Sequence, residues 1–490
     1  MILVANTQAK LPEIQTGLYI NGQWVEGSLE KKAVNNPATK EELIQVSQGG
    51  ETETLQAIQA AKEAFPKWSG MELADRVKLI HAIADKIEEK ADQLALIMTL
   101  EQGKPLKEAK GEILTNIQNL HWNAEEARRI YGETIPAPNQ HKYEVKKQPV
   151  GVVGAITPWN FPSNMIVRKI APAIAAGCTV ILKPASSTPL SAIAIFEIFH
   201  EVGLPAGVAN LVIGPSKEIG KTLTDSDDVR KLTFTGSTEV GKMLYEQSAQ
   251  TMKKISFELG GHAPFIIFDD ADIDQAVDGL VAMKFRNNGQ ACTSPNRIFV
   301  SKAVKKEFVE KLEVAVGKVT VGNGLTDVMV GPLINEEAIE TIQAQVDDAK
   351  TKGATVLAGG ERLTEGDYAN GYFYAPTILD GVTTEMDIFY EETFGPVIPL
   401  IDFEDEEEVI KMANDSIFGL ASYFFTADLK RAEKVSEALE YGLVGVNNTA
   451  ISTSEAPFGG VKHSGVGREN GSYGIQEFLE VKFVHTKYLD

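Results

Sequence analysis

At 490 residues the chain exceeds what one ordinary hydrophobic core supports, so two or three packed units are expected. Hydrophobic residues make up 43 % and charged residues 23 %, proportions of a folded, water-exposed protein rather than a disordered or membrane-embedded one. The formal charge of −21 sets the surface against phosphate backbones and anionic lipid, which argues against nucleic-acid and membrane partners but leaves room for a small anionic substrate held by local arginines.

The opening stretch, MILVANTQAKLPEIQTG, has a short apolar patch and no basic start, which does not make a secretion signal. No uninterrupted apolar run approaches a membrane span. Two cysteines cannot build a disulfide framework, so the expectation is a cytoplasmic protein with reduced thiols. No internal repeat or low-complexity linker divides the chain.

Along residues 72–98, Leu73, Val77, Ile80, Ala84 and Ile87 recur at helical spacing and predict one amphipathic helix. From 150 to 268 short apolar runs (VGVVGAIT, TVILKP, ANLVIG, KLTFTG, PFIIF) alternate with helical stretches. That alternation predicts an α/β unit with a parallel sheet covered on both faces. After residue 292 the pattern resumes with NRIFVS, GATVLAGG, YFYAPTIL, VIPLIDF, LASYFFTA and LVGVNN, a second α/β unit. The acidic run EDEEE at 404–408 reads as a solvated helix start.

Several loops carry chemistry. TPWNFP at 157–162 holds Trp159 and Asn160 between two stiffening prolines, and a rigid neutral amide suits an oxyanion site. In KPASSTP, Lys183 ends a strand, where open α/β sheets bind ligands. In LTFTGSTEVG, Gly236 and Ser237 make a strand-to-helix turn able to face a phosphate, although this is not the G-x-G-x-x-G fingerprint. Glu258 lies in an apolar run, which favours a raised pKa and base chemistry. Cys292 sits in the polar loop GQACTSPNR and is the candidate nucleophile, whereas Cys178 in AIAAGCTVIL reads as a packing residue. No histidine lies in the Cys292 loop, and no second cysteine stands near enough for a redox or zinc pair. YEETFGPV at 390–397 and the glycine-rich APFGGVKHSGVGREN at 456–470 could each be turn chemistry alone.

Together and in this order, TPWNFP, KPAS, FTGST, FELGG, GQAC, EETFGPV and PFGG resemble the aldehyde dehydrogenase superfamily across nearly the whole chain. The resemblance implies an aldehyde dehydrogenase-like α/β fold. A Rossmann-type NAD(P)-binding domain would span 1–123 and 146–254, and a catalytic domain 255–468. A small β oligomerisation flap would use 124–145 and 469–490, giving a homo-tetramer or homo-dimer. It implies Cys292 as nucleophile, Asn160 as oxyanion donor, Glu258 as hydrolytic base, and Lys169 with Glu469 as proton relay. Lys183 and Ser186 would hold the adenosine ribose, and Gly236 and Ser237 the pyrophosphate. Glu392 and Phe394 would hold the nicotinamide ribose, with Trp159 lining the cleft. No metal is implied. Many NAD-preferring members carry Glu where this chain has Ser186, so the expectation is that NADP is accepted and preferred to NAD.

Arg168, Arg286 and Ser452 match the residues that clamp a substrate carboxylate in the succinate-semialdehyde dehydrogenase subfamily, and two guanidinium forks with a hydroxyl suit such a group. The substrate expected is a carboxylate-bearing aldehyde, succinic semialdehyde first. Lactaldehyde, glycolaldehyde or glutaric semialdehyde, or a non-enzymatic structural or binding role, are the alternatives. That subfamily often has a second cysteine just after the nucleophile; here the position is Ser294, which excludes a local disulfide.

Overall fold

Strand runs such as Val152–Ile156 and Thr179–Lys183 are buried along their whole length, as strands covered on both faces must be. The structure, a computed structural model, describes residues 9–489, so the apolar patch opening the chain lies outside the described residues.

The chain begins with β1 (Leu18–Ile20) and β2 (Gln23–Val25), then β3 (Leu29–Asn35) and β4 (Glu42–Gln48). Helices α1 (Glu51–Ser69), α2 (Leu73–Glu89), α3 (Ala91–Gln102) and α4 (Leu106–Glu126) follow, then β5 (Glu133–Ile135) and β6 (His141–Pro149). The alternating stretch gives β7 (Val152–Ile156), α5 (Asn164–Ala176), β8 (Thr179–Lys183), α6 (Leu190–Glu201), β9 (Ala209–Leu211), α7 (Ser216–Asp225), β10 (Val229–Thr235), α8 (Thr238–Ala249) and β11 (Lys254–Glu258). Next come β12 (Ala263–Ile267), α9 (Ile273–Lys284), β13 (Pro295–Ser301), α10 (Lys305–Val316), α11 (Glu336–Thr351), β14 (Thr355–Ala358), β15 (Arg362–Leu363), β16 (Phe373–Tyr374), β17 (Thr377–Asp380) and β18 (Val397–Phe403). The chain closes with α12 (Glu406–Asn414), β19 (Ala421–Phe425), α13 (Leu429–Ala438), β20 (Leu443–Val446), β21 (Gly465–Val466), α14 (Gly471–Gln476) and β22 (Leu479–Lys487).

The single helix expected over 72–98 is two. It breaks at Lys90, with φ −98° and ψ 11°. Helix α2 buries one stripe through Val77, Ile80, Ala84 and Ile87, whereas α3 is buried on most sides, so the chain turns to bring α3 into the core. The acidic run does start a helix: Asp405 caps α12 by accepting from the N–H groups of Glu407 and Glu408.

The first sheet has the order β2-β1-β9-β8-β7-β10-β11-β21, with β9-β8-β7-β10-β11 parallel. The chain runs outward from β7 through β8 to β9, then crosses back over β7 to β10 and β11. The reversal between β7 and β10 opens a crevice at their carboxyl ends, where sheets of this kind bind ligands. The second sheet, β14-β17-β18-β13-β12-β19-β20, is parallel except for β14.

The passage between the two sheets runs through Leu259–His262, so the change of unit read at 254/255 lies beyond Glu258. Ser256, Phe257 and Glu258 pair in parallel with Thr233, Phe234 and Thr235, which keeps β11 in the first sheet. β21 also returns to that sheet, against β11.

A third, antiparallel sheet, β22-β6-β5, joins distant parts of the chain, with His141 opposite Lys487 and Pro149 opposite Leu479. Its outer strands expose Ile135, Val481 and Phe483. The segments 124–145 and 469–490 supply β5, part of β6 and β22 to this sheet, and other residues of theirs pack elsewhere. Ala124 is buried in α4, residues 146–149 belong to β6, and Glu469 is tied to α5 through Lys169. Among the described residues no helix is long and apolar enough to cross a membrane.

Candidate active site

A cavity of about 260 Å³ lies in the crevice between β7 and β10. The loop after β7 brings Trp159 and Asn160 to it, and the turn after β10 brings Gly236 and Ser237. Cys292, just before β13, and Glu392 and Phe394, before β18, close it from the second sheet. Trp159 and Phe394 meet edge to face, ring centroids 5.6 Å apart.

Two glycines let the chain pass between the sheets beside Cys292. A Cβ on Gly261 would lie 2.1 Å from the Cys292 carbonyl oxygen, and one on Gly260 would lie 2.8 Å from the Glu392 carboxylate. The Gly261 N–H donates to that carboxylate at 2.9 Å. Burial pushes the Cys292 thiol up to about 12, Glu392 and Glu258 add to the rise, and Arg168 and Arg286 oppose it. Cys292 therefore rests as a thiol at neutral pH and needs help to ionise. Cys178 is fully buried against the Phe478 carbonyl, 3.4 Å away, in keeping with packing.

Asn160 lines the cavity, and its side-chain amide donates to the Gln290 carbonyl at 3.1 Å, while its Oδ1 is buried without a partner. Its backbone carbonyl accepts from Lys104 Nζ and Asn287 Nδ2, each at 2.8 Å. Lys104 is buried with Glu112 at 2.6 Å, and Glu112 accepts the N–H groups of Ser163 and Asn164. Sequence reasoning passed over this support. Its signal was the polar density of LEQGKP and RNNGQ between apolar stretches.

Glu258 ends β11, buried, with Oε2 unpartnered. Burial holds its carboxyl well above the usual carboxylate range; the Glu469 carboxylate adds to this, and Lys169, Arg168 and Arg468 oppose it. Lys169 donates to Glu469 at 2.6 Å, so the two relay candidates meet.

The three residues read as a carboxylate clamp are only partly brought together. Arg168 donates to the Ser452 hydroxyl, lies 4.4 Å from the Phe458 ring and has Glu469 at 3.9 Å. Its Nε is buried without a partner. Arg286 is exposed, with its guanidinium 4.8 Å from the Phe161 ring centroid. It reaches Arg168 and Cys292 through its field rather than by a bond.

The residues expected to hold a dinucleotide do not share one cavity. The N-terminus of α8 opens toward the cavity. A Cβ on Gly236 would strike the Phe234 ring at 2.4 Å, and Ser237 caps the helix by accepting from the Val240 N–H. Thr235 Oγ1, in the same wall, is buried without a partner. Lys183 donates to Ser216 at 2.6 Å, and burial lowers its ammonium to about 8, with Lys32 adding repulsion. Ser186 does not line the Cys292 cavity. It faces a neighbouring one of about 210 Å³ with Lys32 and Glu101. Glu101 accepts from the N–H groups of Leu190 and Ser191 at 2.7 Å, so its carboxylate is already engaged. A helix N-terminus, an unpartnered hydroxyl and a lysine pair fit an anionic dinucleotide. Among the described residues no cluster of His, Cys, Asp or Glu could hold a metal ion.

The sequence matches the model of the aldehyde dehydrogenase family over residues 24–484. It is 51 % identical over 469 residues to the glutarate-semialdehyde dehydrogenase of Pseudomonas putida KT2440, covering 95 % of this chain and 96 % of that protein. It is 50 % identical over 468 residues to the NADP(+)-type succinate-semialdehyde dehydrogenase GabD of Escherichia coli K12, with the same coverage. A crystal structure described as an E. coli NADP-dependent enzyme superposes with a TM-score of 0.95 at 48 % identity, over 97 % of this chain and 98 % of that one.

Proposed function

The chain belongs to the aldehyde dehydrogenase family, and on that premise we propose that it oxidises succinic semialdehyde to succinate, with NADP preferred to NAD. The observation that carries the substrate is Arg168: a buried guanidinium, bonded to Ser452, with an Nε that lacks an acceptor. A substrate carboxylate supplies that acceptor.

In this reading the Cys292 thiol, partly exposed at the cavity, loses its proton to solvent and the thiolate adds to the aldehyde carbon. The oxyanion is held by the Asn160 side-chain amide and the Cys292 backbone N–H. Lys183 and Ser186 would hold the adenosine end of the dinucleotide, the α8 N-terminus at Gly236 and Ser237 its pyrophosphate, and Glu392 and Phe394 the nicotinamide ribose beside Trp159. When bound, NAD(P) would supply the hydride acceptor, and Cys292 keeps the acyl group as a thioester. Glu258 then takes a proton from water, which attacks the thioester and frees the acid. Lys169 and Glu469, joined behind Glu258, carry that proton away. Arg168, Ser452 and Arg286 hold the distal carboxylate throughout.

The test is kcat/KM with NADP for succinic semialdehyde against butanal, which lacks only the carboxylate. A ratio of about 10²–10⁴ is expected, because a site with buried charged donors rejects an analogue that leaves them unpaired. A ratio near one overturns the carboxylate reading. Glutaric semialdehyde is the second reading, favoured by the 51 % identical relative. One methylene is worth roughly 10–200-fold, so a higher kcat/KM for the longer substrate reverses the choice. The open edges of β5 and β22 support a homo-oligomer, tetramer or dimer; a monomer by light scattering at micromolar concentration contradicts it.

A further inference from the structure

We propose that Asn287 is a positioning residue that staples the loop carrying Asn160 to the loop carrying Cys292, holding the oxyanion-binding amide in register with the nucleophile. The proposal rests on the reading of Asn160 given above.

Asn287 Nδ2 donates to the Asn160 carbonyl at 2.8 Å and to the Gln290 carbonyl at 3.2 Å. Asn160 Nδ2 donates to that same Gln290 carbonyl at 3.1 Å. These bonds close a ring that includes the backbone of one loop, the side chain that reaches the cavity, and the residue shortly before Cys292. Asn287 does not line the cavity itself. Its influence passes through Asn160 and Gln290.

The staple has a defined polarity. Asn287 Oδ1 accepts from Gln102 Nε2 at 2.9 Å, so a flipped amide would set an oxygen against two carbonyls and a nitrogen against a donor. Gln102 is fixed in turn, since its Oε1 accepts from the Lys104 N–H at 3.0 Å. Gln102, Asn287 and Gln290 are all buried, where a mismatched amide has no water to turn to.

The backbone points the same way. Asn287 (φ 48°, ψ 35°) and Asn288 (φ 56°, ψ 34°) are consecutive left-handed residues ahead of Gly289. That conformation disfavours every side chain, asparagine least, and it persists only where the surroundings over-determine it. Here it turns the Asn287 amide back toward the Asn160 loop.

The experiment is a double-mutant cycle on the full-length enzyme with succinic semialdehyde and saturating NADP. Asn160→Ala is expected to lower kcat about 10²–10³-fold. Asn287→Ala is expected to lower kcat about 10–100-fold with the KM for NADP within about twofold. The double variant is expected within about threefold of Asn160→Ala, because the staple has nothing left to position. Losses that multiply in the double variant overturn the proposal, as does an unchanged kcat in Asn287→Ala. Alkylation of Cys292 by iodoacetamide develops no oxyanion, so its rate in Asn287→Ala stays within about threefold of the parent; a loss matching that in kcat overturns the proposal. If Asn287→Ala does not fold, Gln102→Leu carries the cycle. It keeps Asn287 but removes the group that orients its amide, with an expected loss of about 3–10-fold and the same non-additivity. Multiplying losses there also overturn the proposal. An Asn160→Ala variant with parental kcat identifies the oxyanion reading as the failure.

Discussion

Arg168 donates to the hydroxyl of Ser452, and its Nε lies buried with no hydrogen-bond partner. A charged group held this way contributes more to recognition than one at the surface, since a charge-assisted bond is worth about 1.5–3 kcal/mol. Arg168→Met is expected to lower kcat/KM for succinic semialdehyde about 10²-fold or more, and Ser452→Ala about 5–10-fold. Arg286→Ala is expected to have the smaller effect of the two arginine changes, because Arg286 is exposed. Butanal turnover should fall too in the arginine variants, since both guanidiniums oppose the rise of the Cys292 thiol, but in Arg168→Met by about tenfold less than turnover of succinic semialdehyde. Equal losses for both aldehydes would mean the arginines hold the fold rather than the substrate.

The Cys292 thiol is pushed up to about 12 by burial and by the carboxylates of Glu392 and Glu258. Only the thiolate reacts with iodoacetamide, so in the enzyme without ligands the inactivation rate should climb about tenfold per pH unit through pH 9 without levelling. A plateau below pH 8 would contradict the assignment.

Glu469 helps hold the Glu258 carboxyl above its usual range. Base function needs the ionised form, so kcat should rise with pH along a limb set by Glu258. In Glu469→Gln a repelling charge is gone and Lys169 loses its partner. Both changes favour ionised Glu258, and the limb should move to lower pH by about one unit. A shift upward, or none, would separate Glu469 from the base.

Ser186 lines a cavity with Lys32, whose charge also reaches Lys183, and the Ser186 position carries no carboxylate. Ser186→Glu places a negative charge where a 2′-phosphate would bind. It should lower kcat/KM for NADP by about 10²-fold and change that for NAD by less than about fivefold. Parallel losses with both dinucleotides would remove this residue from cofactor choice.

Much of this site was legible because loops at strand ends keep their chemistry local. TPWNFP, FTGST and GQAC each carry their residues in one short stretch, and each strand before or after them reads as an apolar run. What the sequence hides is adjacency. Lys169 and Glu469 are 300 residues apart and meet only through the fold. The strand that ends in Glu258 and the strand that starts at Ala263 are both apolar, and periodicity alone does not say that each enters a different sheet. The β1–β2 hairpin did leave a signal: Asn21 and Gly22 have φ of 51° and 76°, the turn that an Asn-Gly pair between apolar runs favours. Asn287 left little, since a left-handed residue and its three partners are set by tertiary structure.

The most direct test of the account is to trap the acyl group. Glu258→Gln, mixed with succinic semialdehyde and NADP and quenched in acid, should form NADPH once per site and then stall. Intact mass should then show one succinyl group per chain, mapped to the peptide carrying Cys292. Steady turnover in this variant, or a succinyl group on any other residue, would contradict the roles given to Cys292 and Glu258.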